Sequence, residues 1–155
     1  MRSGPAPSTV LPWRLLTTRE SGSVIELWPP HYREFMERHE LSGVEIELPA
    51  AADLSELGAT IGLYSEAQAI EEADNFYPGL VVKTDGFVPV GQDMTGGGDP
   101  YFINLNDAPP GPLYRIYHDS VHDPNYVHDD AVAKVLASYE GLLQFLSSAT
   151  VARDR

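Results

Sequence analysis

Residues 80–118 decide the fold, and they read LVVKTDGFVPVGQDMTGGGDPYFINLNDAPPGPLYRIYH. Runs of apolar and aromatic residues alternate here with clusters of Gly, Pro, Asp and Asn, which mark the turns between short strands. The runs predict four strands, at residues 80–83, 87–90, 101–105 and 112–118. Connections this short join neighbouring antiparallel strands. The stretch therefore predicts a four-strand antiparallel meander.

The residues before the meander predict additional strands and a helix. Apolar stretches at residues 10–16 and 24–28 predict two N-terminal strands. Pro30 suits the first turn of a helix, and residues 31–40 carry apolar side chains at helical spacing. Residues 44–48, VEIEL, alternate as a half-buried strand whose glutamates face water.

A second helix is indicated just before the meander. Ser65 followed by Gln68 has the spacing of a capping box, which predicts a helix over residues 66–74. The structure of residues 50–64 stays open, with a helical turn followed by a short strand as one reading.

The C-terminal region has the clearest periodic pattern. Its apolar stripe predicts a long helix over residues 132–146, capped by Asp129 or Asp130. A meander and N-terminal strands that bury one face against helices make the expected fold class α+β, with an antiparallel sheet.

Length and composition indicate one soluble domain. The 155 residues suit a single domain, expected over residues 10–147, with a loose segment at 1–9 and a frayed tail at 148–155. The chain has no cysteine, which excludes disulfides and thiolate chemistry. The N-terminus lacks a secretory signal pattern, and no apolar run approaches the ~18 residues that span a bilayer. We expect a cytoplasmic protein that does not bind membranes.

Charge gives the main indication of a partner. The formal net charge is −13, and no Lys or Arg occurs between Arg38 and Lys83. This balance argues against nucleic acid and anionic membranes, and it favours capture of a basic protein. Solubility alone is the competing explanation. The candidate partner-binding residues are acidic: Glu45, Glu47, Glu66, Glu71, Asp74, Asp93, Asp99, Asp119 and Asp123.

Three further groups of residues are candidates for chemistry or for contact with a partner. His and Asp are concentrated at residues 118–130, and these types suit zinc or iron, but a strand end and Pro124 do not supply a converging geometry. The glycines at 96–98 lack the helix and Lys of a phosphate loop and indicate a turn. We therefore predict no enzyme, no cofactor and no metal. Six large aromatics could serve either the core or an interface: Trp13, Trp28, Tyr32, Phe35, Phe76 and Tyr77.

A series of short motifs runs through the second half of the chain. Its members are Phe87-Val88-Pro89-Val90-Gly91, Asp93, Gly97-Gly98-Asp99, Tyr101-Phe102-Ile103, Gly111-Pro112-Leu113-Tyr114, His118-Asp119, and the apolar residues Leu142, Phe145 and Leu146. This series, over residues 62–147, resembles the SUKH superfamily, whose fungal members regulate cell-wall glucan synthesis. The first half departs from the family pattern. Pro30 to Leu48-Pro49 is similar to the family's early helix and LP step, but the usual Asn-Gly turn is missing.

The resemblance implies a mixed fold and a binding role. Bacterial members of the superfamily are frequently immunity proteins that neutralise toxins, and the superfamily is not known for enzymes. We therefore expect a non-enzymatic protein-binding module that acts as an immunity protein. An acidic chain suits a basic toxin domain such as a nuclease. The alternatives are a regulatory scaffold with a non-toxin partner and, less favoured, a metal-dependent hydrolase that uses the 118–130 loop.

Overall fold

The computed structural model describes residues 26–122, 125–148 and 150–151. The predicted strand at 10–16 and the loose segment at 1–9 lie outside these residues. The prediction of a strand at 24–28 is wrong for its described part, since residues 26–28 lead into the first helix without strand pairing. The backbone N–H groups of Leu27 and Trp28 are bound instead by the carboxylate of Glu66, at 2.8 and 2.9 Å.

The described residues form four α-helices and nine strands. The helices are α1 (Pro30–Arg38), α2 (Glu66–Asn75), α3 (Gly79–Val82) and α4 (His128–Ala131). Short 3-10 turns lie at Ala50–Ala52, Lys83–Asp85 and His118–Ser120, and a longer 3-10 segment at Tyr139–Ser148. The strands are β1 (Val44–Leu48), β2 (Ala59–Leu63), β3 (Phe87–Asp93), β4 (Pro100–Asn104), β5 (Leu113–Ile116), β6 (Val121–His122), β7 (Asn125–Tyr126), β8 (Val132–Leu136) and β9 (Thr150–Val151).

Local sequence signals locate α1, β1 and α2 correctly. The capping box of α2 is complete: the Ser65 hydroxyl accepts from the Gln68 N–H at 3.2 Å, and the Gln68 amide oxygen accepts from the Ser65 N–H at 2.8 Å. Residues 50–64 form a 3-10 turn and then β2, as the open reading allowed.

One antiparallel sheet organises the chain, and the α+β fold class is confirmed. The strand order is β8-β5-β4-β3-β2-β1-β9, so β1 to β5 form a continuous meander. Between β5 and β8 the chain leaves the sheet, forms the small β6–β7 hairpin and α4, and returns to pair β8 with β5. The meander therefore has five strands where four were predicted, and its strands β3, β4 and β5 correspond to the predicted strands at residues 87–90, 101–105 and 112–118.

Helical elements cover both faces of the sheet, whereas the sequence predicted helices on one face. The larger core contains Tyr32 and Phe35 of α1, Ala69 of α2, and Leu142 of the C-terminal 3-10 segment. The smaller core contains Val81 and Val82 of α3 with residues of the β5–β8 excursion. Strand alternation separates the two cores, because successive side chains of a strand point to opposite faces.

The predicted strand at residues 80–83 is wrong. Gly79–Val82 form α3, and the chain continues as a 3-10 turn to Asp85 before Gly86, at φ +94°, reverses it into β3. The Pro78 carbonyl accepts the Val82 N–H at 3.1 Å. A short apolar run fits a buried helical turn as well as a strand, and periodicity cannot separate the two.

The predicted long helix at residues 132–146 is also wrong. Val132–Leu136 form β8, and Tyr139–Ser148 form the 3-10 segment. Asp129 and Asp130 lie inside α4, whose N-cap residue is Val127, so neither is the predicted cap. The open edge of β5 needs a hydrogen-bonding partner, and the backbone of β8 supplies it. Among the described residues, no helix has the length and apolar character that crossing a bilayer requires.

Candidate functional site

A buried arginine lies where several loops meet at one end of the sheet. Arg115, on β5, has a side chain only 3% exposed, and three carboxylates surround its guanidinium. Its Nη2 is 3.6 Å from Asp53 Oδ2, while Nη1 is 3.5 Å from Asp93 Oδ2 and 3.9 Å from Asp99 Oδ2. Because three carboxylates face one guanidinium, the group carries an excess of two negative charges when all are ionised. We call these four residues the Arg115 cluster.

The guanidinium also has neutral partners. Nη2 donates to the Tyr101 hydroxyl at 2.7 Å and reaches the Gly58 carbonyl at 3.5 Å. The Tyr101 ring lies beneath the guanidinium, with 5.0 Å between the ring centroid and Cζ. Burial raises the pKa of Tyr101 and the Arg115 charge opposes that rise, so the phenol stays protonated and accepts from the arginine. A buried charge of this kind is stable only while its partners remain.

Each aspartate of the Arg115 cluster also fixes its own loop. Asp53 Oδ1 accepts the Ser55 N–H at 2.7 Å, and Asp53 Oδ2 accepts the Gly58 N–H at 2.9 Å. Asp93 Oδ1 accepts the Thr95 N–H at 2.7 Å and the Thr95 hydroxyl. These are the side-chain to backbone bonds that stabilise turns.

The third aspartate, Asp99, binds the residues that follow β5. Asp99 Oδ1 accepts the His118 N–H at 3.0 Å and lies 2.6 Å from His118 Nδ1. His118 Nε2 in turn lies 3.1 Å from a carboxylate oxygen of Asp119. Loops 53–58 and 93–99 and the start of the β5–β8 excursion are thus held to a single guanidinium.

Exposed apolar side chains lie directly beside these anchors. Leu54 follows Asp53, Leu57 precedes Gly58, and Met94 follows Asp93; they are 58%, 55% and 45% exposed. The Leu54 N–H donates to the Val135 carbonyl at 2.9 Å and the Met94 N–H to the Thr60 carbonyl at 2.8 Å, while Asp53 binds the Gly58 N–H that follows Leu57. Leu54, Leu57 and Met94 form what we call the loop surface.

A second acidic region lies at the C-terminal end of α2. Glu71 and Asp74 are exposed, and the chain then presents Phe76 and Tyr77, which are 52% and 55% exposed. Asp74 Oδ1 lies 3.5 Å from the Lys83 ammonium, in a pair that both side chains leave largely open to water. We call Glu71, Asp74, Phe76 and Tyr77 the α2 surface.

One α2 carboxylate faces inward instead. Glu72 accepts a hydrogen bond from the Tyr64 hydroxyl at 3.2 Å. Burial raises the pKa of Glu72, and the Tyr64 hydrogen bond partly offsets that rise.

Glu66 is not the free surface carboxylate that the sequence indicated. Its Oε1 accepts from Arg33 Nε at 2.8 Å, and its Oε2 accepts from Arg33 Nη2 at 2.9 Å as well as from the N–H groups of Leu27 and Trp28. The Arg33 hydrogen bond holds the pKa of Glu66 below its usual range, against the opposite effect of burial. Glu66 fastens the segment before α1 to the start of α2.

The remaining predicted partner-binding residues are dispersed. Glu47 is exposed on β1, and Glu45 is half-buried on the same strand. Asp119 is largely exposed, and Asp123 lies outside the described residues. The structure therefore brings together Asp93 with Asp99, and Glu71 with Asp74, but not the whole set.

The sequence interpretation missed Asp53, Arg115 and the loop surface. One signal was available: Arg115 lies two residues after Leu113, on the same face of the strand, and an arginine on a face that enters the core needs buried carboxylates. Of the predicted aromatics, Trp28, Tyr32 and Phe35 are buried, whereas Phe76 and Tyr77 are exposed and Trp13 lies outside the described residues.

The 118–130 region shows no converging ligand set in its described part. Within the described residues, no three His, Asp or Glu side chains are placed to hold one metal ion. His118 binds Asp99, while His128 lies 3.4 Å from Asp129 and packs near Phe87. Asp123 and the side chain of His122 are outside the description.

Fold and site together define an α+β protein with a seven-stranded antiparallel sheet, a small β6–β7 hairpin and a charge-anchored loop surface at one end of the large sheet. No family model, curated protein or solved structure matches this chain. The resemblance to the SUKH superfamily therefore stays a prediction that rests on the sequence motifs alone.

Proposed function

We propose that this chain is a non-enzymatic protein-binding module that uses the loop surface to contact a partner. The observation that carries the proposal is the combination of Leu54, Leu57 and Met94 in solvent with a backbone anchored to the Arg115 cluster. Binding residues are commonly carried on loops that a rigid scaffold positions. A backbone that is ordered before binding loses less conformational entropy in the complex.

The energetics of the Arg115 cluster support this assignment. Replacing a buried ion pair by well-packed apolar residues is often neutral or stabilising, so stability alone is a weak reason for a buried arginine with three carboxylates. Fixing two loops in one conformation is a sufficient reason. Exposed Glu56 lies between Leu54 and Leu57 in the chain, and exposed Asp119 follows His118, which binds Asp99, so acidic side chains accompany the apolar ones, as polar residues do in interfaces.

The proposed partner is a basic protein. The net charge of −13 favours a positively charged surface and speeds its approach. The resemblance to SUKH immunity proteins makes a toxin domain, such as a nuclease with a basic cleft, the favoured candidate. Blockade of that cleft would then neutralise the toxin in the cytoplasm, where we place this chain.

The test compares changes of exposed leucines at the two ends of the sheet. Leu54→Asp with Leu57→Asp alters the loop surface, whereas Leu105→Asp alters a leucine that is 48% exposed after β4, at the opposite end of the sheet. The binding partner is the purified C-terminal domain encoded by the gene immediately upstream. We expect the double variant to weaken binding about 100-fold, as loss of hot-spot contacts does, and Leu105→Asp to leave it unchanged.

Two outcomes would overturn parts of the proposal. Equal binding by the double variant and the parent chain would remove the loop surface from the interface. Failure of the parent chain to bind the upstream domain would remove the toxin assignment and leave the regulatory scaffold as the better hypothesis.

A further inference from the structure

The α2 surface carries the largest exposed aromatic pair among the described residues. Phe76 and Tyr77 follow α2, and their backbone is fixed on both sides. The Phe76 N–H donates to the Glu72 carbonyl at 3.2 Å, and the Phe76 carbonyl accepts the Leu80 N–H at 2.9 Å. Gly79 packs so tightly on α2 that a Cβ there would lie 3.0 Å from the Glu72 carbonyl oxygen. The two rings are therefore presented on a rigid turn.

The charged residues of the α2 surface are acidic, and one lysine, Lys83, pairs with one of them. Glu71 and Asp74 are exposed on α2, and the sequence has no Lys or Arg from residue 39 to residue 82. Lys83 Nζ lies 3.5 Å from Asp74 Oδ1, with side chains 41% and 59% exposed. A pair this exposed contributes little free energy, so an incoming cation can displace the lysine.

We infer that the α2 surface is a second interaction surface, which binds an arginine- or lysine-bearing segment of a partner protein. Aromatic faces attract cations, and carboxylates pair with them, with arginine favoured because its flat guanidinium can do both. Lys83 acts as an internal competitor for Asp74. The inference goes beyond the loop surface, which offers apolar contacts at a different part of the sheet.

Charge decides between the possible occupants. A second copy of this chain would bring the same carboxylates and a net charge of −13, so self-association on this surface is opposed. A nucleic acid backbone is repelled for the same reason. A cationic protein segment is the occupant that both the rings and the carboxylates favour.

The experiment measures binding of a fluorescein-labelled peptide of alternating arginine and glycine to the full chain. Lys83→Ala removes the internal competitor and should tighten binding about threefold to tenfold. Lys134→Ala is the matched control, because Lys134 is an exposed lysine on β8, which β4 and β5 separate from the strand under α2. It changes the net charge equally and should alter binding less than about twofold.

Truncation of the rings gives an independent readout. Phe76→Ala with Tyr77→Ala should weaken peptide binding about tenfold, and Phe76→Leu should also weaken it, because leucine keeps apolar area but has no π face. Val127→Ala, at an exposed valine outside the α2 surface, should have no effect. Thermal unfolding of each variant checks that the fold is retained.

Several results would overturn the inference. Equal tightening by Lys83→Ala and Lys134→Ala would mean that the peptide senses only net charge. Unchanged binding in the ring variants, or no binding by the parent chain, would exclude a site at these residues. None of these results bears on the loop surface, because the peptide carries no apolar side chain for it.

Discussion

Carboxylates are used differently at the loop surface and at the α2 surface. Asp53, Asp93 and Asp99 lie within 4 Å of one buried guanidinium and hold the two loops that carry the loop surface. Glu71 and Asp74 lie in water, where one exposed lysine is the nearest cation that the structure describes. An acidic composition therefore contains two kinds of acid. One kind shapes the protein, and the other is free to meet a partner.

The largest expected effect on stability is at Arg115, in the Arg115 cluster. Arg115→Met removes the one cation that three buried or half-buried carboxylates share, and we expect the free energy of unfolding to fall by about 3–5 kcal/mol. Urea denaturation measures this change. Arg38→Met is the matched control, since Arg38 is exposed in the last turn of α1 and its loss should cost less than about 1 kcal/mol. A similarly small loss at Arg115 would show that the cluster is not structural.

Substitution of Glu66 should have an intermediate effect on the free energy of unfolding. Glu66→Gln weakens the bonds to Arg33 and to the backbone of Leu27 and Trp28, and it should lower the free energy of unfolding by about 1–2 kcal/mol at neutral pH. Glu71→Gln, on the exposed side of the same helix, should change it by less than about 0.5 kcal/mol. Equal effects would mean that the internal and surface classes do not differ.

The pH dependence of stability gives a second test of Glu66, in which the parent chain is compared with Glu66→Gln. The Arg33 hydrogen bond lowers the folded-state pKa of Glu66, so its stabilisation is complete above the unfolded-state pKa and is lost as the pH falls through the folded-state value. The parent chain should therefore lose stability on acidification more steeply than Glu66→Gln. Unfolding curves across the acid range measure this, and parallel curves would contradict it.

The smallest expected effect on stability is at the α2 surface. Glu71→Lys with Asp74→Lys should change the free energy of unfolding by less than about 0.5 kcal/mol, because exposed charges contribute little. The association rate with a basic partner should nevertheless fall, and the rate of the parent chain should drop as salt is added. Stopped-flow association at low and high salt measures both. A salt-independent rate would assign the acidic charge to solubility alone.

Elements with local signals could be predicted from the sequence, and those that depend on distant partners could not. The capping box at Ser65 and the alternation of VEIEL each act within a few residues, and both predictions are confirmed. The prediction of a helix at residues 132–146 is wrong because the first five of these residues form β8, which pairs with β5. A periodic apolar pattern does not reveal an open strand edge elsewhere in the chain.

The candidate site was predictable only in part for the same reason. Asp93 and Asp99 were named from their charge, but their common partner Arg115 lies on another strand, and Asp53 is more distant still along the chain. Nothing within a few residues of Glu66 indicates that Arg33 binds it across 33 positions. Acidic residues can be counted in a sequence, whereas their cations are assigned only by the fold.

The bond between the Leu54 N–H and the Val135 carbonyl also bears on how the sheet ends. β8 is an outer strand, and its outward backbone groups are a template on which a strand of another chain could add. Loop 53–58 occupies one of these groups, and the exposed Lys134 places a charge along the same strand. Because Arg115 holds loop 53–58 in place, it also helps to keep the edge strand β8 from pairing with a strand of another chain.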